Sequence, residues 1–222
     1  MICITSISPN NIQRQQMALN TWMAFKHKII SFNCKSEIEV LKSMFSNVEF
    51  IEVKKTGQKL YGKPYVFIND LVDYAKEHEC LLINSDILIN NIIPKPNPNE
   101  CIVLNRRDIK DYNYHNATLL QSGYDAFYLT PNTAKLLPKT DLALGQCHWD
   151  YWLPYMMAKN RVKLITYRRP LIYHEVHPVQ YSHESWVKTA EIFRKETGLE
   201  GSLEEVSTQA LKFIRSRTIT KP

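Results

Sequence analysis

Residues 1–90 alternate short apolar runs with helical periodicity. Ile2-Cys3-Ile4 reads as a strand, Ala18, Leu19, Trp22 and Phe25 recur at helical spacing, and Ile29-Ile30 is strand-like again. Ser36 and Glu39 form a capping-box pattern in front of Ile38, Leu41 and Phe45, which predicts a helix there. Val48 to Val53 reads as a third strand, and Phe67, Leu71, Tyr74, Ala75 and His78 mark another helix. Cys80-Leu81-Leu82-Ile83 is then a wholly apolar run, followed by a second, Ile87-Leu88-Ile89. The order βαβαβαβ implies an α/β fold with a mostly parallel, Rossmann-like sheet and right-handed crossovers.

After Ile89 the pattern becomes irregular. Pro94, Pro96 and Pro98 make a rigid connector, and Cys101 to Leu104 and Ala126 to Leu129 read as further strands of a mixed second half. Ser202 and Glu205 open a last helix through Leu211 and Phe213 that ends in a basic tail, Arg215, Arg217 and Lys221. With 222 residues the chain fits one domain that buries a sizeable core, divided into 1–90, 91–200 and a C-terminal helix and tail over 201–222.

Lys and Arg outnumber Asp and Glu by 28 to 22, for a formal charge of +6 and a pI near 9.0. That admits an anionic partner such as a nucleoside diphosphate, a nucleic acid or an acidic glycan. The basic residues are dispersed, so an ordinary solvated basic surface explains the charge equally well. The five cysteines, Cys3, Cys34, Cys80, Cys101 and Cys147, form no C-x-x-C pair, and three of them lie in or beside apolar strands. Buried thiols of this kind suit a reducing compartment, so the protein is expected to be cytosolic. Met1 leads straight into a strand and no apolar stretch approaches ~18 residues, so neither a signal peptide nor a membrane span is expected.

The candidate chemistry begins at Asn84-Ser85-Asp86, where a carboxylate follows a buried strand, the edge at which open α/β sheets bind ligand. Three later motifs follow: Gln121-Ser122-Gly123-Tyr124-Asp125, then Gly145-Gln146-Cys147-His148-Trp149-Asp150-Tyr151-Trp152, then Tyr173-His174-Glu175-Val176-His177. In that order they resemble the landmarks of nucleotide-sugar glycosyltransferases of the GT-A fold: an Asp-x-Asp-type motif, a glycine loop, an acidic catalytic position and a late metal-binding histidine. The resemblance runs from Met1 to about Trp186.

The resemblance implies a metal-assisted transfer of a hexosyl or pentosyl group from a nucleoside-diphosphate sugar, with 1–90 as the nucleotide-sugar half and 91–200 as the acceptor half. Mn²⁺ or Mg²⁺ would neutralise charge on the leaving diphosphate. Asp86 is the expected first ligand, and His174, or in second place His177, closes the metal site. Asn84 stands where the family usually has an acid facing the ribose; its amide carbonyl still accepts a hydroxyl, while two-carboxylate metal binding loses support. Asp150 takes the role of the base that deprotonates the acceptor, which implies inversion. Its aromatic neighbours lower local polarity and raise a carboxyl pKa toward the range useful to a base. A helix-terminal acid beside a core tryptophan pair is the structural alternative.

Other donor contacts are expected from Thr5 and Ser6 at the end of the first strand, from Ser85, and from Gly123, where a missing side chain admits backbone close to the donor. Asp125 suits sugar hydroxyls, and Arg14, Lys63, Arg106 and Arg107 suit diphosphate or acceptor. The His-x-x-His spacing is too short for helical zinc ligands, so no structural zinc is expected, and His183 reads as an ordinary polar residue. The acceptor is left open between a saccharide and a hydroxylated DNA base. Rival readings are a non-catalytic nucleotide- or nucleic-acid-binding module on the same fold, a nucleotide-sugar hydrolase, and a nucleotidyltransferase. The last would need a Gly-rich, Lys-containing phosphate loop that Thr5-Ser6-Ile7-Ser8-Pro9-Asn10 does not offer.

Overall fold

The computed structural model describes residues 1–120, 123–178 and 181–222. The first half contains β1 (Ile2–Thr5), α1 (Ile12–Ala24), β2 (Lys28–Asn33), α2 (Lys35–Leu41), β3 (Val48–Glu52), the one-turn α3 (Gln58–Tyr61), α4 (Ile68–Ala75) and β4 (Cys80–Ile83). Then come β5 (Ile87–Ile89), β6 (Glu100–Leu104), β7 (Arg107–Lys110), β8 (Asn113–Leu119), β9 (Ala126–Leu129), α5 (Pro131–Ala134) and α6 (Trp149–Lys159). The chain closes with β10 (Lys163–Tyr167), β11 (Ile172–Glu175), α7 (His183–Thr197), α8 (Leu203–Arg217) and β12 (Thr218–Lys221).

The fold is mixed α/β around a large, mostly parallel sheet. Its eight strands run in the order β12-β10-β6-β9-β4-β1-β2-β3, and only β9 is antiparallel to its neighbours. β5, β11, β7 and β8 form a separate four-stranded sheet. Strand residues alternate between two cores, one on each face of the large sheet: Ile4, Leu82 and Val103 point to one, Cys3, Leu81 and Ile102 to the other. Such two-faced burial is why β4 is apolar throughout. Trp22 of α1 is fully buried and its Nε1 donates to the Ile87 carbonyl at 2.7 Å, pinning α1 to β5. Loss of a buried side chain of this size costs about 3–5 kcal/mol.

Strand order creates the site. From β1 the chain moves outward to β2 and β3, then returns to lay β4 on the other side of β1. The segments leaving the C-terminal ends of β1 and β4 therefore diverge and open a crevice. Asp86 lies at that point, where the chain leaves the large sheet for the smaller one.

Two expectations need correction. Ser36 and Glu39 do not cap a helix; α2 starts after Cys34, with no side-chain cap, and ends at Leu41 before Phe45. The basic tail is not a tail: Arg215 and Arg217 belong to α8, and Lys221 ends β12, which adds to β10 in parallel. The β7–β8 hairpin was not anticipated. The Ser202 and Glu205 capping box at α8 is present in both directions. Among the described residues no helix is long and apolar enough to cross a membrane.

Candidate active site

A cleft of about 1030 Å³ opens along the C-terminal edge of the large sheet. Ser6, Arg14, Lys63, Asn84, Ser85, Asp86, Arg106, Gly123, Asp125, Asp150 and His174 all line it, and so does His177. Thr5 is the exception. It is fully buried and does not line the cleft, because the last residue of β1 turns into the sheet rather than toward the crevice. Gln121 and Ser122 of the glycine-loop motif lie outside the described residues.

Gln15 organises the β1–α1 loop. It is 3% exposed; its Oε1 accepts from the Ser8 amide and the Ser85 hydroxyl, both at 2.7 Å, and its Nε2 donates to the carbonyls of Ser8 and Asn10. One amide thus joins the two lips of the crevice. Opposite, Asn33 at the end of β2 donates to the Ile7 carbonyl at 2.8 Å and to Glu37 Oε2 at 2.9 Å, which holds Glu37 at the cleft wall. Neither Arg14 nor Lys63 pairs with a carboxylate among the described residues.

Asp86, His174 and His177 form a compact cluster whose candidate ligand atoms lie within 4.8 Å of one another. The imidazoles are oriented alike. Nδ1 of His174 faces Asp108 Oδ1 at 3.3 Å and Nδ1 of His177 faces the Pro178 carbonyl at 2.8 Å. An oxygen acceptor at Nδ1 draws the ring proton there and turns the Nε2 lone pair away from it. Both Nε2 atoms point to Asp86 Oδ2, at 3.6 Å from His174 and 3.1 Å from His177. Two lone pairs aimed at a carboxylate are repulsive unless positive charge lies among them, as imidazolium protons or a metal cation. Burial disfavours the Asp86 charge, yet the two histidines outweigh it and hold its carboxyl well below the usual range. The Asp86 hydrogen bond pushes His177 upward. The donor set, one carboxylate oxygen and two imidazole nitrogens, fits a divalent transition cation.

A polar chain extends from this cluster. Arg106 donates through Nε to Asp108 at 2.8 Å and through a terminal nitrogen to Asp125 Oδ1 at 3.0 Å, and Asn84 Nδ2 donates to the same Oδ1 at 3.1 Å. The charge expected of Arg106 for phosphate is thus already matched by two carboxylates. Asp125 is 5% exposed, and burial raises its pKa against the pull of Arg106.

Asp150 stands in the first turn of α6, next to Asp125 and against the Gly123 backbone. Burial, reinforced by the Asp125 charge, pushes its carboxyl up to about 7 although backbone amides of Asp150 and Tyr124 bond it. The consequence for stability follows in sign. Between the ordinary value of 3.8 and about 7 the folded state keeps a proton that the unfolded chain has lost, so this group's contribution falls as pH rises through that window. Asp150→Asn should therefore gain on the parent by about 2–4 kcal/mol between pH 4 and pH 8 in urea melts without divalent cations. A parent-to-variant difference that stays constant with pH would contradict this environment.

Gly123 is needed where it is. Its φ is +79°, and a Cβ there would come within 2.5 Å of Asp150 Oδ2. Gly123→Ala should cost about 1–3 kcal/mol through strain and collision. The collision part of that cost should vanish in an Asp150→Ala background, while the strain at positive φ remains, since the cycle isolates their contact. Full additivity in thermal melts would show that the contact is absent. His148, the residue before α6, also has positive φ, 68°; its Nδ1 is paired with Thr189 Oγ1 at 2.9 Å, and burial lowers its pKa to about 4.

Arg107, Arg168, Arg169 and His183 do not line the cleft. Residues not anticipated are Asp108, Gln15 and Glu37. Glu37 carried a readable signal, an acid just after the second strand of an α/β unit; the other two carried none, because their roles depend on contacts distant in sequence.

No family model matches the chain, and no curated protein matches it in sequence. Two solved structures are similar in chain trace. One is a Bacillus anthracis protein described as a glucose-1-phosphate thymidylyltransferase, in complex with sucrose: TM-score 0.42, 11% identity, covering 92% of this chain and 98% of that one. The other is the PaToxG glycosyltransferase: TM-score 0.33, 10% identity, covering 98% of this chain and 86% of that one. Neither likeness bears on the residues of the cleft.

Proposed function

We propose that the protein moves a glycosyl group from a nucleoside-diphosphate sugar to an acceptor hydroxyl, with a divalent cation held by Asp86, His174 and His177. The observation that carries this reading is the pair of imidazoles turned by Asp108 and Pro178 onto one carboxylate at the crevice of a mostly parallel sheet. Two nitrogen ligands favour Mn²⁺ over Mg²⁺, which prefers oxygen. When bound, such a cation would neutralise the negative charge that gathers on the departing diphosphate.

The chain's own groups supply the rest. The Asn84 carbonyl oxygen and Glu37 accept ribose hydroxyls, and Arg14 and Lys63 bring unpaired positive charge to the phosphates. Asn84 and Arg106 both bond Oδ1 of Asp125, leaving Oδ2 for a hydroxyl of the donor sugar. Asp150 receives the acceptor proton as the acceptor oxygen bonds the anomeric carbon and the bond to the diphosphate oxygen breaks. A carboxyl poised at about 7 is a suitable base near neutral pH. Direct attack with Asp150 as base inverts the anomeric centre.

The test is a panel of nucleotide sugars scored by thermal stabilisation with and without Mn²⁺. A donor at one hundred times its Kd stabilises by about 2.7 kcal/mol. One nucleotide sugar should stand out, only with the cation present. Stabilisation by nucleoside triphosphates in preference to all nucleotide sugars would overturn the assignment.

A further inference from the structure

Beyond Asp150 the cleft is walled by aromatic rings from α6, α7 and the segment before α7: Tyr151, Trp186 and Tyr181. The wall is built rather than incidental. The His148 ring centre lies 5.4 Å from that of Trp186 and 6.4 Å from that of Tyr151, and His148 is itself tied to Thr189. His183 stacks on Trp186 at 6.0 Å with an interplanar angle of 11°. Tyr181 is 43% exposed. The acids Asp150 and Glu204 line the same cleft.

We propose that this wall is the acceptor subsite and that the acceptor is a neutral saccharide. The inference rests on the glycosyl transfer proposed above. A pyranose offers apolar, slightly positive C–H faces that sit on the negative face of an aromatic ring, while its edge hydroxyls reach carboxylates. A flipped DNA base would stack on the same rings, so charge decides between them. Specific duplex binding neutralises several phosphates, of order 6–10 for a typical protein. Among the described residues, the lysine and arginine side chains lining the cleft are Arg14, Lys63 and Arg106, and Arg106 is already paired with Asp108 and Asp125. Arg168 and Arg169 lie outside the cleft, the latter over the Tyr167 ring. Within the cleft, among the described residues, two lysine and arginine charges without a carboxylate partner match a donor diphosphate and form no phosphate track.

The chain has four tryptophans, and Trp22, Trp149 and Trp152 are each at most 2% exposed. Protection of tryptophan fluorescence from acrylamide, without donor or cation, therefore reports chiefly on Trp186. The probes are maltotriose, cellotriose and chitotriose at millimolar concentration, and a duplex oligonucleotide carrying hydroxymethylcytosine. At least one trisaccharide should protect Trp186, with affinity unchanged between 50 and 500 mM salt, and Trp186→Ala should weaken its binding by about tenfold or more in calorimetry, equivalent to a lost contact of ordinary size. Trp186→Phe should keep binding and lose the optical signal. Protection by the duplex alone, or by none of the probes, would overturn the proposal. Because no donor is present, protection without any transfer in a separate assay would count against the proposed activity and not against the subsite.

Discussion

Asp86→Ala should remove all Mn²⁺-dependent stabilisation by the donor while leaving the protein folded. Asp86 belongs to a turn between β4 and β5, its side chain is 27% exposed, and its contacts are the two imidazoles rather than either core. Without its carboxylate the cluster keeps two neutral nitrogens and nothing to offset the cation's charge. At a donor concentration of one hundred times the parent's Kd, the variant should lack about 2.7 kcal/mol of stabilisation. Asp108→Asn gives a graded version of the same result. It leaves the three ligand atoms intact and weakens the Asp108 bonds that orient His174 and Arg106, so Mn²⁺ affinity should fall by about 10–100-fold, the usual effect of removing an outer partner. Equal Mn²⁺ shifts in Asp86→Ala and parent would show that the cation binds elsewhere.

Asp150→Asn should lower kcat by about 10²–10⁴-fold with little change in donor affinity, because it keeps the shape and removes the base. The environment makes the pH dependence specific. With a carboxyl near 7, parent activity should rise with pH through neutrality as the base ionises, and the residual activity of the variant should lose that rise. Turnover at the parent rate with an unchanged pH profile would reduce Asp150 to the helix-terminal acid of its structural alternative.

The half of the fold that was legible is the half whose elements are defined by local pattern. β1 to β4 are short apolar runs, α4 has its apolar face at clean helical spacing, and their order dictated a parallel sheet with Asp86 at its edge. β8 was not legible because its residues are mostly exposed and show no alternation of apolar and polar. β12, Thr218-Ile219-Thr220-Lys221, was hidden because it is short and partly exposed, and pairing with β10 rather than burial makes it a strand. The Ser36 and Glu39 pattern misled because the first turn of α2 forms against Asn33, which bonds Glu37 instead.

In the site, the sequence brought Asp86, Asp150 and His174 forward because each adjoins an apolar strand or an aromatic group. His177 comes second to His174 in the sequence because it stands three residues farther from the apolar run that ends at Ile172. His174 is in β11 while His177 lies just past its end, where its Nε2 reaches Asp86. Asp108 and Gln15 act across 66 and 70 residues respectively, distances over which no single-sequence pattern speaks.

Product analysis tests the central claim most directly. The purified protein is incubated with the nucleotide sugar selected by thermal stabilisation, Mn²⁺ and a neutral oligosaccharide, and the nucleotides and sugars are separated by chromatography. The expected result is one nucleoside diphosphate released for each sugar added to the acceptor, abolished by chelation and by Asp86→Ala. Formation of nucleoside triphosphate when pyrophosphate is supplied, or release of free sugar with none on the acceptor, would contradict glycosyl transfer.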